Sequence, residues 1–202
     1  MTLNLEQGRE IVKYARSVIE QSFRKMRPET TKILMEPFRE DRGVFVTLQT
    51  HRGRNLRGCI GFPEPIMPLG KAVMESALAA AFEDPRFPQV QEKELNGLVV
   101  EVSVLTKPEL IKVNDPRDYP KEVVVGRDGL IVENGMFRGL LLPQVPVEWK
   151  WNVEEFLGHT CQKAGLPPDM WLDRKTRIYR FSAQIFGEKA PGGDVEEHAI
   201  SG

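Results

Sequence analysis

The chemistry in this sequence concentrates in Leu56-Arg57-Gly58-Cys59-Ile60-Gly61, where one of two cysteines stands between glycines and two residues after an arginine. A guanidinium near a thiol favours the thiolate, the form that attacks electrophiles and is oxidised. On a strand, residues two apart project to the same side with Cα atoms about 6.5–7 Å apart, within range of that influence. Glycine weakens a strand interior, so Gly58 and Gly61 point to close approach by a ligand or by another stretch of backbone. Against a reactive role stands the commoner fate of a free cysteine, which packs as a small apolar side chain. A cysteine hydrolase also needs a base within hydrogen-bond reach of the sulfur. His51 lies near the turn, roughly 13 Å from Cys59 along the ladder. His159 belongs to a different element, and with Cys161 two positions away on one helix it forms no local dyad. Cys59 is therefore a candidate catalytic nucleophile or redox thiol without a triad.

The elements that must position Cys59 follow from hydrophobic period. Val44 to Thr50 and Leu56 to Phe62 alternate as two strands, joined by the polar loop His51-Arg52-Gly53-Arg54-Asn55. Val44, Val46 and Leu48 share a buried face with Leu56, Ile60 and Phe62 when Thr50 pairs with Leu56. Asn4 with Gln7 caps a helix whose Leu5, Ile11, Val12, Ala15, Val18, Ile19 and Phe23 recur at helical spacing and which is expected to end before Pro28. Pro68 opens a second helix through Leu69, Val73, Ala77, Ala80 and Ala81, stopped at Asp84-Pro85-Arg86-Phe87. Leu98 to Leu105 alternates again, as does the run from Tyr179 to Ile185, and both are expected to join the hairpin in one sheet. Between them Val123-Val124-Val125, Leu130-Ile131-Val132 and Phe137 to Leu142 are predicted as a three-stranded meander with an Asn134-Gly135 turn. A helix capped by Asn152 and Glu155 and closed by Gly165 follows. Residues from Glu188 on are expected to fray.

The resulting expectation is an α+β fold of two unequal subdomains, each an antiparallel sheet packed with helices, with a cleft between them. Residues 1–109 and 175–202 form the larger subdomain, and 110–174 the smaller insert. The sheet face away from the helices collects Thr47, Gln49, Arg57, Cys59, Glu101, Ser103, Arg180, Ser182 and Gln184. The candidate substrate-binding residues are Arg57, Gly58, Gly61, Thr47, Glu101 and Ser103, joined by Gln144 and Glu148 after the meander. Clefts between subdomains are where ligands tend to bind. The basic patch of His51, Arg52, Arg54 and Arg57 reads as a solvated turn, with an anion or phosphate contact as the sharper alternative.

Composition excludes several classes. The 202 residues carry 28 Lys and Arg against 29 Asp and Glu, a net charge of -1, so nothing favours nucleic acid or an anionic membrane surface. No apolar run approaches the about 20 residues that cross a bilayer, and Met1-Thr2-Leu3-Asn4 opens no signal or transit peptide. Two cysteines and three histidines show neither a disulfide framework nor metal-ligand spacing, and no Gly-rich phosphate loop is present. No cofactor or metal is expected, and the cysteine usage suits a reducing cytoplasm.

Leu56-Arg57-Gly58-Cys59-Ile60-Gly61 matches the signature hexapeptide of the AMMECR family, and the resemblance runs over almost the whole chain. Gly43 to Leu48, Asp84-Pro85-Arg86-Phe87, Glu101 to Leu105, Gly126 with Asp128-Gly129-Leu130, and Leu141 to Val145 all look like blocks of that family. The resemblance implies two unequal subdomains, with the larger holding both termini and the signature lining the cleft. It implies no defined reaction, but an association with Memo-type and radical-SAM partners. Two functions are therefore expected in competition. One is an enzyme component acting through Cys59; the other is a non-catalytic module that holds a peptide, a partner protein or a sizeable small molecule.

Overall fold

The computed structural model describes residues 2–26 and 38–198. Helix α1 spans Leu5–Phe23, and the expected capping box is formed: Asn4 Oδ1 accepts the Gln7 N–H and Gln7 Oε1 accepts the Asn4 N–H, each at 2.9 Å. It ends at Phe23 with Arg24 at its C-cap, ahead of Pro28 in sequence as expected. Strands β1 (Val44–Thr50) and β2 (Leu56–Phe62), helix α2 (Leu69–Phe82) and strand β3 (Leu98–Leu105) follow as the periodicities require. The chain continues through β4 (Glu109–Leu110), α3 (Tyr119–Glu122), β5 (Gly129–Asn134), β6 (Phe137–Leu141), α4 (Gln144–Glu148) and α5 (Val153–Lys163). It closes with β7 (Arg177–Phe181), β8 (Ala183–Glu188) and β9 (Val195–His198).

Two compact units result. Among the described residues, one holds those up to Leu105 together with 184–198, and the other holds Thr106–Ala183. The first unit is a sheet in the order β2-β1-β3-β8-β9. Val44, Val46, Leu48, Val100, Val102 and Val104 bury one face of it against Ile11, Val12, Ala15, Val18 and Ile19 of α1 and against Val73, Ala77 and Ala80 of α2. A buried ion pair lies within this unit: Arg16 Nη2 meets Glu188 Oε2 at 2.6 Å, and Glu188 is 1% exposed. Every nitrogen of the guanidinium and both carboxylate oxygens are hydrogen-bonded, as a buried charge requires. Arg16 also donates to Leu98 O at 2.6 Å, and Glu188 Oε2 accepts the Val100 N–H at 3.0 Å.

The second unit is a sheet in the order β4-β7-β5-β6. Leu130, Val132 and Ile178 pack there with Phe156, Leu157 and Cys161 of α5. Gly139 lets β6 lie against the end of α5, because a Cβ there would come within 2.3 Å of the Ala164 nitrogen.

Four expectations change. The run from Tyr179 to Ile185 is two strands. Arg177–Phe181 pairs with β5 in the second sheet, and Ala183–Glu188 joins the first. The unit boundaries accordingly fall at Leu105/Thr106 and Ala183/Gln184, not at 109/110 and 174/175. Val123-Val124-Val125 is no strand. The Asp128 carboxylate accepts the Val124 N–H at 2.8 Å, and Gly126 at φ +84° completes a turn. Its place in the sheet is taken by β4 and β7. The tail beyond Glu188 also does not simply fray, since Val195–His198 pairs with β8.

Candidate functional site

Cys59 sits in the middle of β2, an edge strand, in the expected register: Thr47 lies opposite Cys59, and Glu101 opposite Thr47 on the other side of β1. Side chains alternate across a sheet, so these three form a row on the face turned away from α1 and α2. Thr47 Oγ1 donates to Cys59 Sγ at 3.2 Å. Glu101 Oε2 lies 3.2 Å from His198 Nδ1. That reach crosses β8 at Gly187, where a Cβ would approach the His198 ring to 2.8 Å. The row therefore ends in a carboxylate–imidazole pair.

The open edge of β2 is closed by the segment after α2. Asp84 Oδ2 accepts the Cys59 N–H at 2.8 Å, and Arg86 Nη2 donates to the Cys59 carbonyl at 3.1 Å. Asp84 and Arg86 also pair with each other, Nη2 to Oδ2 at 2.7 Å. Both backbone groups of Cys59 are thus satisfied by side chains where a neighbouring strand would satisfy them in a sheet interior. The Arg86 guanidinium, helped by the Cys59 and Arg86 amides and against burial, holds the Asp84 carboxyl far below the usual carboxylate range.

The Cys59 thiol itself is pushed up from its ordinary value. Burial is the main cause, with Asp84 and Glu101 adding to it; the Thr47 hydrogen bond and the Arg86 charge oppose. A raised thiol is the reverse of the activation expected from Arg57, which is not among the charges acting on Cys59. A bulge is what takes Arg57 out of play. Leu48 pairs with Gly58 but Gln49 with Leu56, so Arg57 has no opposite residue and the alternation shifts. The Arg57 guanidinium is held by Glu94 (Nε–Oε1 and Nη2–Oε2, both 3.2 Å) and by Pro88 O at 2.9 Å. Leu56, expected in the core, is 41% exposed for the same reason. The cation that acts on Cys59 is Arg86.

The signature glycines serve internal packing. A Cβ on Gly58 would lie 2.1 Å from the Ala80 carbonyl oxygen of α2, and one on Gly61 would lie 2.2 Å from Val44 O. Ser103 stands opposite Phe45 on β3. Gln144 and Glu148 lie at the two ends of α4 in the second unit, and Arg180 and Ser182 belong to that unit as well. The basic turn is more than a solvated loop: Arg54, at φ +51°, donates through Nη1 and Nη2 to Glu188 O, both at 3.2 Å. Sequence reasoning missed Asp84, Arg86 and His198. The first two were visible only as opposite charges flanking Pro85, and His198 lay in a segment expected to be irregular. Among the described residues no group of three or more His, Cys, Asp or Glu is arranged to hold a metal ion, and no helix is long and apolar enough to cross a membrane.

An α+β chain with two antiparallel sheets and a Leu-Arg-Gly-Cys-Ile-Gly edge strand is the class that fold and site define together. The chain belongs to the AMMECR1 family, whose model matches residues 12–186. It is 56% identical to Protein MJ0810 of Methanocaldococcus jannaschii over 98% of each chain. It is 54% identical to Protein PF1979 of Pyrococcus furiosus, over 96% of this chain and 94% of the relative. The crystal structure of the uncharacterized protein PH0010 from Pyrococcus horikoshii superposes with a TM-score of 0.83 at 49% identity, covering 98% of both chains.

Proposed function

We propose that this chain is a ligand-binding module whose contact surface is the sheet face carrying Thr47, Cys59, Glu101, Ser103 and His198. The ligand is a peptide, a segment of a partner protein or a sizeable small molecule with hydrogen-bonding groups. One observation carries the proposal: a partly exposed thiol is held in its protonated form by burial and by two carboxylates, while Thr47, Asp84 and Arg86 fix its position. A neutral thiol beside a hydroxyl and a carboxylate–imidazole pair is a set of oriented donors and acceptors, which suits recognition better than attack. The proposal rests on the first unit alone. Substituting Gln144 and Glu148 tests separately whether α4 contributes.

The test is the reactivity of Cys59 towards a thiol reagent as a function of pH in the native protein. The expected midpoint lies above the about 8.5 of an unperturbed cysteine. A midpoint about one pH unit below that value would overturn the binding proposal and favour a nucleophile.

A second proposal is an enzyme component that works with Memo-type and radical-SAM partners. It draws support from the Glu101–His198 pair, because a carboxylate-oriented imidazole is a general base and shares the sheet face of Cys59. Its contact, however, is with Glu101 and not with the sulfur. This proposal fails if Cys59→Ala leaves the activity of the reconstituted mixture intact.

A further inference from the structure

The second unit carries an aromatic surface unrelated to Cys59. Trp149 is 68% exposed. Its ring stacks on Trp151, with centroids 6.2 Å apart and planes at 20°, and Trp151 stacks on His159 of α5 at 3.8 Å and 18°. Lys150, between the two indoles, has φ +56°, a left-handed conformation that a non-glycine residue adopts only where the surroundings impose it. Its N–H bonds to Val147 O at 3.1 Å and that of Trp151 to Pro146 O at 2.8 Å, so the chain reverses sharply after α4 and brings the rings together.

His159 also lines a groove of about 420 Å³ whose other walls include Glu154, Glu155, Asp169, Trp171 and Leu172. The wall is mostly apolar, and no lysine or arginine contributes to it. The carboxylates are not all accounted for by the fold. Glu155 completes the α5 capping box, accepting the Asn152 N–H at 2.8 Å, and the helix dipole favours an acid at Glu154. Asp169 precedes the short turn Met170–Leu172 but its side chain caps nothing, and neither it nor Glu154 forms an ion pair among the described residues. An apolar channel with unpaired acids at its rim and stacked indoles beside it is complementary to a long side chain that is apolar along its stem and cationic at its tip.

We propose that this groove and the adjoining Trp149–Trp151–His159 stack form a docking site for a basic peptide segment of a partner protein. A lysine or arginine stem lies against Trp171 and Leu172, its charge meets Glu154 and Asp169, and a neighbouring basic residue covers the open face of Trp149.

The chain's three tryptophans are Trp149, Trp151 and Trp171, so tryptophan fluorescence, excited selectively over tyrosine, reports on this region alone. The full chain is titrated with a tetralysine peptide blocked at both ends, and in parallel with the same peptide carrying acetylated lysines. Tetralysine is expected to give a saturable change with half-saturation about tenfold or more below that of the acetylated peptide. The double variant Glu154→Gln/Asp169→Asn is expected to weaken binding about fivefold or more, and Trp149→Ala about threefold. These three side chains are exposed, so the variants keep the fold, which circular dichroism checks. Equal response to both peptides, no saturable response to tetralysine, or unchanged affinity in the double variant would each overturn the proposal.

Discussion

Cys161 lies on the inner face of α5 with no exposed surface, in a cluster with Phe156, Leu157, Ala164 and Trp171. Burial pushes its thiol up to about 11. Cys59 lies on an edge strand and is partly exposed, and burial pushes its thiol up too, against a hydrogen bond from Thr47 and the charge of Arg86. Desolvation thus governs both sulfurs. The two sites differ in what surrounds them: Cys161 packs among apolar side chains, with the Trp171 backbone and the Asp169 charge as its polar influences, whereas Cys59 has a hydroxyl, two carboxylates and a guanidinium held in fixed positions. A cysteine at a functional surface can be distinguished by its polar neighbours even when its own ionisation is suppressed.

Gly58→Ala attacks the Cys59 region hardest, since the new methyl meets backbone oxygen of α2 and not a side chain that could move. We expect a loss of about 3 kcal/mol in denaturant unfolding, the upper end for overpacking. Asp84→Asn comes next. Asp84 is 5% exposed, and weakening its charge-assisted bonds to Arg86 and the Cys59 amide is expected to lower stability by about 2 kcal/mol. The same change removes a negative charge that raises the Cys59 thiol, so Cys59 should react faster at fixed pH while Cys161 stays protected. The pH dependence follows from the sign of the shift. Asp84 is more acidic folded than unfolded, so its contribution is complete above the unfolded value of about 3.9 and fades as pH falls through the lower folded value. Unfolding curves of the parent and Asp84→Asn should converge only below about pH 4. Cys161→Ala leaves a small cavity and is expected to lower stability by about 1–2 kcal/mol. Cys59→Ser is the mildest, within about 0.5 kcal/mol in the same assay, because a hydroxyl keeps the contact with Thr47. A larger loss for Cys59→Ser than for Cys161→Ala would dissolve the contrast between the two sites.

The hairpin was readable because parity and loop length constrain it: burying Val44, Val46 and Leu48 with Ile60 and Phe62 across a five-residue loop puts Thr47 opposite Cys59, although the bulge replaces the expected Thr50–Leu56 pair by Gln49–Leu56. Both long helices announced themselves by period and caps. The sequence was silent where the partner decides. Alternation from Tyr179 to Ile185 is the same whether the run stays in one sheet or changes sheets at Ser182, and it changes sheets. A bulge shifts parity without altering composition, so Arg57 looked like the neighbour of Cys59 although its guanidinium belongs to Glu94. Asp84, Arg86 and His198 reach the site through tertiary folding, which spacing along the chain does not encode.

The buried pair of Arg16 and Glu188 joins the first helix to a residue made late in synthesis. Residues 106–183, the second unit, are translated between them. As the chain leaves the ribosome, that later unit is complete before the earlier one receives its last strands, so folding order is expected to invert the usual N-terminal-first sequence. Until β8 arrives, β3 offers a bare edge and Arg16 lacks the Glu188 carboxylate, a state open to wrong strand pairing. A chain released at 183 would be expected to carry a folded second unit beside an open, aggregation-prone first one.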